Sequence, residues 1–236
     1  MKKILFLLII MIPVLPLLFI NCSDMNDKHD IYLSEGEDIY IGKIDSLVVL
    51  PGDERVLLRL WDKDPRAKTA SIYWYPLDDS VTVTLNPRPD STEVLIGGAT
   101  SNKIVQEGSY TFNFITHDNL GNHSVPLEKM IKVYGARYRL SLINRGLKEA
   151  IFNQTNSSLS LSFATAISEN DIGVEVKYMD SANKEQNVFF RNGQITGQLK
   201  IQEVDLSKEI TYRTLFLPEP LAIDTFYTES QIIEKK

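Results

Sequence analysis

The sequence predicts an all-β fold, in which two β-sandwiches follow one another along the chain after an apolar N-terminal segment and a polar tether. Three observations support this prediction. Short runs of alternating apolar and polar residues have the length of strands, and turn-forming residues separate them at the spacing of a sandwich. The pattern repeats after Gly135, and no stretch from Ile44 to Gly135 has the 3.6-residue apolar period of a helix. We therefore expect one sandwich over residues 44–135 and a second over residues 136–236.

The first half contains a series of runs that we interpret as strands. In chain order they are IDSLVVL, RVLLRLW, ASIYWY, SVTVTL, SYTFNFITHD and LEKMIKVY. Tyr110, Phe112 and Phe114 share one face of the fifth run, so that aromatic face is expected to be buried. In the second run, Val56, Leu58 and Leu60 are the expected inward positions. Trp61 follows directly after the last of them instead of occupying an inward position, so its orientation stays open. We expect seven strands in each sandwich.

The second half repeats this architecture without repeating the residues. Its runs are SLSLSF, VEVKY, NVFF, QLKIQEV, ITYRTLF and DTFYTESQII. Tyr212 has the same place in ITYRTLF as Tyr110 has in SYTFNFITHD. This predicts equivalent corners for the two tyrosines. The connection VYGARYR is short and has no Gly/Ser tract, so the two sandwiches are expected to stack stiffly.

Several of these residues resemble those of a known domain family. The order Tyr-x-Phe-x-Phe-x-Thr in SYTFNFITHD, followed by Asp118 and Gly121, resembles strand F of a fibronectin type III domain. Ile72 and Trp74 resemble the inward pair of its strand C, and Phe163 stands where that family usually has tryptophan. The resemblance implies two tandem fibronectin type III-like (immunoglobulin-like) β-sandwiches.

Residues 1–21 have the composition of a secretory signal peptide. Lys2 and Lys3 give it a positive start, and Ile4–Ile20 is an apolar run that two prolines interrupt. A transmembrane helix needs about 20 residues of continuous helix, so this run is a poor membrane span. It suits the apolar core of a signal peptide.

Cys22, the only cysteine of the chain, follows Phe19-Ile20-Asn21. This arrangement resembles a bacterial lipobox of the loose kind found in Bacteroidetes, which implies cleavage after Asn21 and lipidation of Cys22. A buried free thiol and half of an intermolecular disulfide are the alternatives. A lipidated cysteine that carries two or more acyl chains holds a protein stably on a membrane.

Residues 22–43 are polar and acidic, and we interpret them as a tether. Ser23, Asp24 and Asp27 resemble the export signal that sends Bacteroidetes lipoproteins to the outer face of the outer membrane. The alternative is that these residues are only a solvated linker. The predicted location is the outer membrane, with the protein facing the cell exterior.

Charge and motifs argue against several functional classes. The formal net charge is −6, and loss of Lys2 and Lys3 with the signal peptide makes the chain more acidic. This charge disfavours nucleic acid as a partner. The chain has no G-x-S-x-G, Walker A or G-x-G-x-x-G sequence, and His117 and His123 are expected to be two exposed loop histidines. We therefore predict a protein that is not an enzyme and uses neither a metal nor a cofactor.

The densest aromatic cluster is Tyr73-Trp74-Tyr75. Because side chains alternate along a strand, an inward Trp74 leaves Tyr73 and Tyr75 as an outward pair about 7 Å apart. Such a pair can stack on sugar rings or on a partner protein. The alternative is that neighbouring strands cover both rings, as cross-strand aromatic partners do. Tyr73 and Tyr75 are therefore the candidate contacts for a ligand or partner.

Four short motifs predict covalent modification. They resemble the Asp-Ser/Thr-apolar acceptor that Bacteroidetes use for general O-glycosylation of exported proteins. The candidate acceptors are Ser46, Ser80, Ser91 and Ser181.

The first half also resembles a narrower family. The segments LSEGEDIYIGKIDSLVVLPGDERVLLRLW, DPR, IYW and DSV occur in this order and resemble a Bacteroidetes lipoprotein family known as domain of unknown function 4998. The resemblance runs from about Leu33 to Leu147 and implies an accessory of a polysaccharide-utilisation system, because family members tend to belong to such systems. Its implied partners are polysaccharide or outer-membrane glycan-uptake proteins. The alternative is a structural spacer, an adhesin-like protein or a protein-docking module without carbohydrate binding.

Overall fold

The structure is a computed structural model that describes residues 39–86, 89–99 and 103–235. The predicted signal peptide, Cys22 and most of the predicted tether lie outside these residues. Ile41–Lys236 form one compact unit. In the described part of the chain, no helix is both long enough and apolar enough to cross a membrane.

Antiparallel strands make up nearly all of the regular structure. The first half contains β1 (Ser46–Pro51), β2 (Arg55–Trp61), β3 (Thr69–Tyr75), β4 (Asp79–Thr84), β5 (Thr92–Gly97), β6 (Gly108–His117) and β7 (Leu127–Val133). The second half contains the short helix α1 (Ala136–Ser141), β8 (Leu147–Asn153), β9 (Ser158–Phe163), β10 (Asp171–Met179), β11 (Glu185–Arg191), a 3₁₀ turn (Asn192–Gln194), β12 (Gln198–Ile201), β13 (Thr211–Phe216), β14 (Phe226–Tyr227) and β15 (Gln231–Ile232). The predicted all-β fold is confirmed.

The first sandwich has the strand order of a fibronectin type III domain. One sheet has the order β1-β2-β5, and the facing sheet has the order β4-β3-β6-β7. Alternate residues of each strand meet in the core, where the rings of Trp74 and Phe112 stack with their centres 5.6 Å apart. Leu60 is buried in this core, so Trp61 points to the outer face of its sheet, where it is half-buried. This settles the orientation that the sequence left open.

The second sandwich repeats the same relative strand order. One sheet has the order β12-β9-β8, and the other runs β11-β10-β13, with both β14 and β15 paired to β13. Seven strands are present if β14 and β15 are counted as one interrupted edge strand. Leu215 of β13 pairs with Tyr227, and Tyr212 of β13 pairs with Gln231. Three steps along β13 therefore correspond to four steps along the edge strand, and the one extra residue on the edge interrupts the pairing.

The two corner tyrosines occupy similar strand positions but make different hydrogen bonds. The Tyr110 hydroxyl donates to the carbonyl of Gln106, four residues earlier, at 2.9 Å. The Tyr212 hydroxyl lies 3.1 Å from the carbonyl of Arg145 and 2.8 Å from Oε1 of Gln231. The two tyrosines therefore have similar places on β6 and β13, and the partners of their hydroxyls differ. The physical reason is that Arg145 is buried, so its carbonyl needs a partner inside the fold.

A small aromatic core lies where the two sandwiches meet. Tyr134 from the end of the first half packs with Phe216 and Phe226 from the second, and Tyr138 and Leu142 cover them. The ring centre of Tyr138 lies 4.9 Å from that of Tyr134 and 5.0 Å from that of Phe226, both edge to face. Edge-to-face rings at this spacing stabilise one relative arrangement of the elements that carry them.

Polar contacts reinforce this junction. Asp224 accepts hydrogen bonds from the Asp53 N–H at 2.8 Å and from Arg55 Nε at 2.7 Å, and it also pairs with the Arg55 terminal nitrogen. The Ile223 N–H donates to the Pro51 carbonyl at 2.9 Å. These contacts agree with the expectation that the connection is stiff. The predicted bounds of the signal peptide, the tether and the two sandwiches stay predictions.

Candidate functional site

Tyr73 and Tyr75 lie on β3 and face outward from the first sandwich. Ile72 and Trp74 are fully buried, so alternation along the strand directs both tyrosines to the opposite face. Tyr73 is 36% exposed and Tyr75 is 45% exposed. The outward pair is therefore present, and the neighbouring strands cover its rings only in part.

Short polar side chains beside the tyrosines explain why their rings stay exposed. On β6, Asn113 stands opposite Tyr73 and Thr111 stands opposite Tyr75. On β7, Met130 stands opposite Thr111 and is 76% exposed. We name Tyr73, Tyr75, Thr111, Asn113 and Met130 the tyrosine surface.

The tyrosine surface combines apolar ring faces with hydrogen-bonding groups. The two phenol hydroxyls can donate and accept, and the ring faces can stack on apolar groups. The Asn113 Oδ1 atom is buried and has no hydrogen-bond partner among the described residues. A buried oxygen of this kind is uncommon. The arrangement suits non-covalent recognition.

The four candidate acceptor serines differ in accessibility. Ser46 begins β1, Ser181 lies in the turn after β10, and both are exposed. Ser80 on β4 pairs with Tyr73 at the edge of the tyrosine surface and is half-buried, as is Ser91. A modifying enzyme would therefore reach the first two serines more readily than the other two.

The aspartates that precede these serines also have structural roles. Asp45 pairs with Lys63 at 2.5 Å, and Asp79 pairs with Lys103 at 2.6 Å. The hydrogen bond from Lys103 is the main cause that lowers the pKa of Asp79. Asp180 accepts two backbone N–H groups of its own turn, each at 2.9 Å, and its pKa is lowered as well. These carboxylates therefore shape turns and strand ends whether or not the serines are modified.

His117 is the last residue of β6 and is half-buried, whereas His123 is exposed in the connection to β7, so the expectation of two exposed loop histidines is wrong for His117. His117 Nε2 lies 3.0 Å from the Ser71 hydroxyl, and the rings of His117 and His123 have centres 6.5 Å apart. Asp118 accepts two backbone N–H groups of the turn at 2.8 and 2.9 Å, which is the usual use of aspartate in such a turn. In the part of the chain that the structure describes, no three His, Cys, Asp or Glu side chains are grouped to hold a metal.

A second outward face, on the larger sheet of the second sandwich, escaped the sequence interpretation. Phe189 on β11, Glu175 on β10 and Arg213 on β13 form one row across this sheet. The Arg213 guanidinium lies 3.9 Å from the ring centre of Tyr227 on β14, and its Nε donates to Glu175 Oε2 at 2.6 Å. We name Glu175, Phe189, Arg191, Arg213 and Tyr227 the arginine surface. No local pattern marks it, because its members come from four strands that only the register brings together.

Two solved structures are similar to this chain in part. A two-domain fibronectin type III segment from chicken tenascin has 13% identity and a TM-score of 0.33, and the match covers 83% of this chain and 100% of that chain. The FN1-FN3 domains of chicken CNTN1 have 10% identity and a TM-score of 0.45, and the match covers 82% of this chain and 64% of that chain. This chain thus matches less than two thirds of the CNTN1 structure. No curated protein sequence matches the chain.

A family model gives a broader match. The model described as a domain of unknown function, DUF4998, matches residues 22–226. The match runs through both sandwiches, so the range from Leu33 to Leu147 that the residue patterns suggest is too short. The chain therefore belongs to the family known as domain of unknown function 4998.

Proposed function

We propose that this protein is a non-catalytic surface lipoprotein, anchored to the outer membrane through Cys22, that binds or presents polysaccharide for a polysaccharide-utilisation system. The chain is a pair of fibronectin type III-like sandwiches in a family of unknown function. The anchor, the location and the ligand are the proposal. The tyrosine surface is the proposed contact with sugar.

The exposure of Tyr73 and Tyr75 on one face carries this proposal. Alternate residues on one face of a strand lie about 7 Å apart, so two rings can lie under one sugar ring or under neighbouring units of a chain. Thr111 and Asn113 supply hydrogen-bonding groups beside them. A few polar groups around an apolar contact are typical of small-ligand sites.

Affinity gel electrophoresis of the mature chain against a panel of neutral polysaccharides tests the proposal. At least one polysaccharide is expected to retard the wild type, and Tyr73→Ala/Tyr75→Ala is expected to abolish that retardation. Both side chains point outward, so the double variant should lose no more than about 1–2 kcal/mol of stability. Tyr40→Ala is the matched control, since it removes an exposed tyrosine that lies outside the tyrosine surface and should keep the retardation. A wild type that no neutral polysaccharide retards would contradict sugar binding by this surface.

The anchor is tested separately in the native host. Cys22→Ser is expected to leave the signal peptide uncleaved or to release the protein in soluble form, because serine offers no thiol for lipidation. Membrane fractionation and intact mass report the result. Normal processing and normal membrane attachment in this variant would rule the lipobox out.

The junction between the sandwiches favours a second candidate function. A packed aromatic core and the Arg55–Asp224 pair hold the two halves together, which suits a spacer or a module that docks a partner protein. Cross-linking in host membranes distinguishes the two functions. If no polysaccharide binds and Tyr73→Ala/Tyr75→Ala abolishes a cross-link to an outer-membrane glycan-uptake protein, the docking function replaces sugar binding.

A further inference from the structure

The outward face around the arginine surface carries more positive than negative charge, although the whole chain has a formal net charge of −6. Its outward positions hold Lys177, Arg191 and Arg213 against Glu175 and Glu185. Lys177 pairs with Glu185 at 2.9 Å, and Arg213 pairs with Glu175 at 2.6 Å. Arg191 has no carboxylate partner among the described residues. A local excess of positive charge on an acidic protein favours an anionic ligand.

Arg213 is held in one orientation before any ligand arrives. Tyr227 packs against the plane of its guanidinium, and Glu175 binds its Nε. The two terminal nitrogens of this guanidinium have no partner among the described residues, and the side chain is 35% exposed. A planar guanidinium with free terminal N–H groups matches a carboxylate in a two-point contact.

A shallow cavity of about 180 Å³ opens beside Arg213. Lys177, Asn187, Thr211 and Ser230 line it together with Glu175 and Arg213. This lining mixes donors, acceptors and hydroxyl groups that can do both. Such a lining suits a ring that carries several hydroxyl groups, and the cavity has several times the volume of one water molecule, about 30 Å³.

We propose that the arginine surface is a second carbohydrate site, which binds sugar units that carry a carboxylate, that is, uronic acids. Arg213 contacts the carboxylate, and Lys177 and Asn187 bind the ring hydroxyls. The inference shares with the proposed function the premise that the ligand is a polysaccharide. It uses different residues in the other sandwich, so the two sites can be tested apart.

The test titrates the mature chain with polygalacturonate and with its methyl ester, which has the same backbone without the charge. The acid form is expected to bind at least tenfold more tightly than the ester. Arg213→Gln is expected to weaken binding of the acid form about tenfold, which equals about 1.4 kcal/mol. Arg213→Lys keeps the charge but loses the two-point contact, so it should not restore full affinity.

Two controls separate site binding from general attraction. Arg59→Gln removes the same charge from the exposed Arg59–Glu93 pair of the first sandwich, and it should change affinity less than twofold. The neutral methyl ester is the second control, because the difference between acid and ester reports on the charged site alone, so failure of the tyrosine surface does not count against this site. Thermal unfolding of each variant checks that it is folded.

Four results would overturn the inference. The first is equal binding of the acid and the ester, and the second is an equal effect of Arg59→Gln and Arg213→Gln. The third is tighter binding of polyglutamate than of polygalacturonate, which would assign the surface to an acidic peptide. The fourth is a wild type that binds none of polygalacturonate, alginate and hyaluronate.

Discussion

At the scale of single residues, Arg145 and Asp171 form an ion pair inside the second sandwich. Both side chains are fully buried, and Arg145 contacts Asp171 through Nε at 3.0 Å and through a terminal nitrogen at 2.6 Å. Asp171 also accepts the N–H of Gly173 at 3.1 Å. Removing one charge of such a pair leaves the other buried without compensation, which is costly.

We therefore expect Asp171→Asn to destabilise the protein strongly. The free energy of unfolding should fall by about 3 kcal/mol or more, because the Arg145 guanidinium stays buried without its counter-charge. Urea unfolding followed by far-UV circular dichroism measures the loss. Glu93→Gln is the control, since it breaks the exposed pair with Arg59 and should cost no more than about 1 kcal/mol. Similar losses in both variants would contradict this account of the buried pair.

Glycosylation is also predicted for single serines. Ser46 and Ser181 are exposed in the folded protein, whereas Ser80 and Ser91 are half-buried. We expect glycan on Ser46 and Ser181 in protein purified from the native host. Intact mass and peptide mapping test this, and Ser46→Ala/Ser181→Ala should remove most of the added mass. A mass equal to that of the lipidated polypeptide alone would contradict the prediction.

At the scale of elements, strand β10 depends on the glycine that it contains. Gly173 has a φ of +151°, and a Cβ there would lie 2.8 Å from Phe189 Cε2 and would overlap the Phe190 carbonyl. Gly173→Ala is therefore expected to destabilise the protein by at least about 2 kcal/mol, measured by urea unfolding. Gly121 has a φ of +93° but nothing within 4 Å of a Cβ, so Gly121→Ala should cost only about 1 kcal/mol. An equal cost at both positions would show that the contacts of Gly173 are unimportant.

The strands with a clear alternating pattern are the ones that the sequence predicts well. β2 alternates strictly between buried and half-buried residues, and the run RVLLRLW coincides with it. β5 has no corresponding prediction, because the outward Leu95 lies between the inward Val94 and Ile96 and so hides the alternation. β8 was missed as well, because its pairing with β9 shifts register between Leu147 and Glu149 and so breaks the alternation.

The two candidate surfaces show the same limit of prediction from local sequence patterns. Alternation around a buried Trp74 predicts that Tyr73 and Tyr75 point outward. It does not predict whether they stay exposed, because that depends on the register that places Thr111 and Asn113 beside them. The arginine surface depends wholly on register, so no local pattern reveals it.

At the scale of the whole molecule, the junction is expected to couple the unfolding of the two sandwiches. Both tryptophans of the chain, Trp61 and Trp74, lie in the first sandwich, so their fluorescence reports on that half while circular dichroism reports on both. In the wild type the two urea transitions should coincide. In Asp224→Ala they should separate, because Arg55 and the Asp53 N–H lose their shared partner. Asp90→Ala, outside the junction, is the control and should leave the transitions coincident.

The same coupling should depend on pH. Burial alone would raise the pKa of Asp224, but hydrogen bonds from Arg55 and from the Asp53 N–H outweigh burial and lower it. A carboxyl whose pKa is lower in the folded than in the unfolded protein stabilises the fold fully at pH values above its unfolded pKa, about 3.9. It loses this stabilisation as the pH falls through its folded pKa. The two transitions should therefore coincide at pH 6 and separate below about pH 4. Asp224→Asn should show the separation already at pH 6, and coincident transitions of this variant at pH 6 would contradict this role.

The junction also bears on how such a chain can change in evolution. A Cβ on Gly52 would lie 2.8 Å from Ile223 Cγ1 and would overlap the Asp224 carboxylate, so the first half is shaped closely around the second. An exchange of either half for an unrelated domain would leave Tyr134 and Asp224 without the partners that they now have. The two halves are therefore expected to pass from ancestor to descendant as a matched pair, rather than to be shuffled as interchangeable modules.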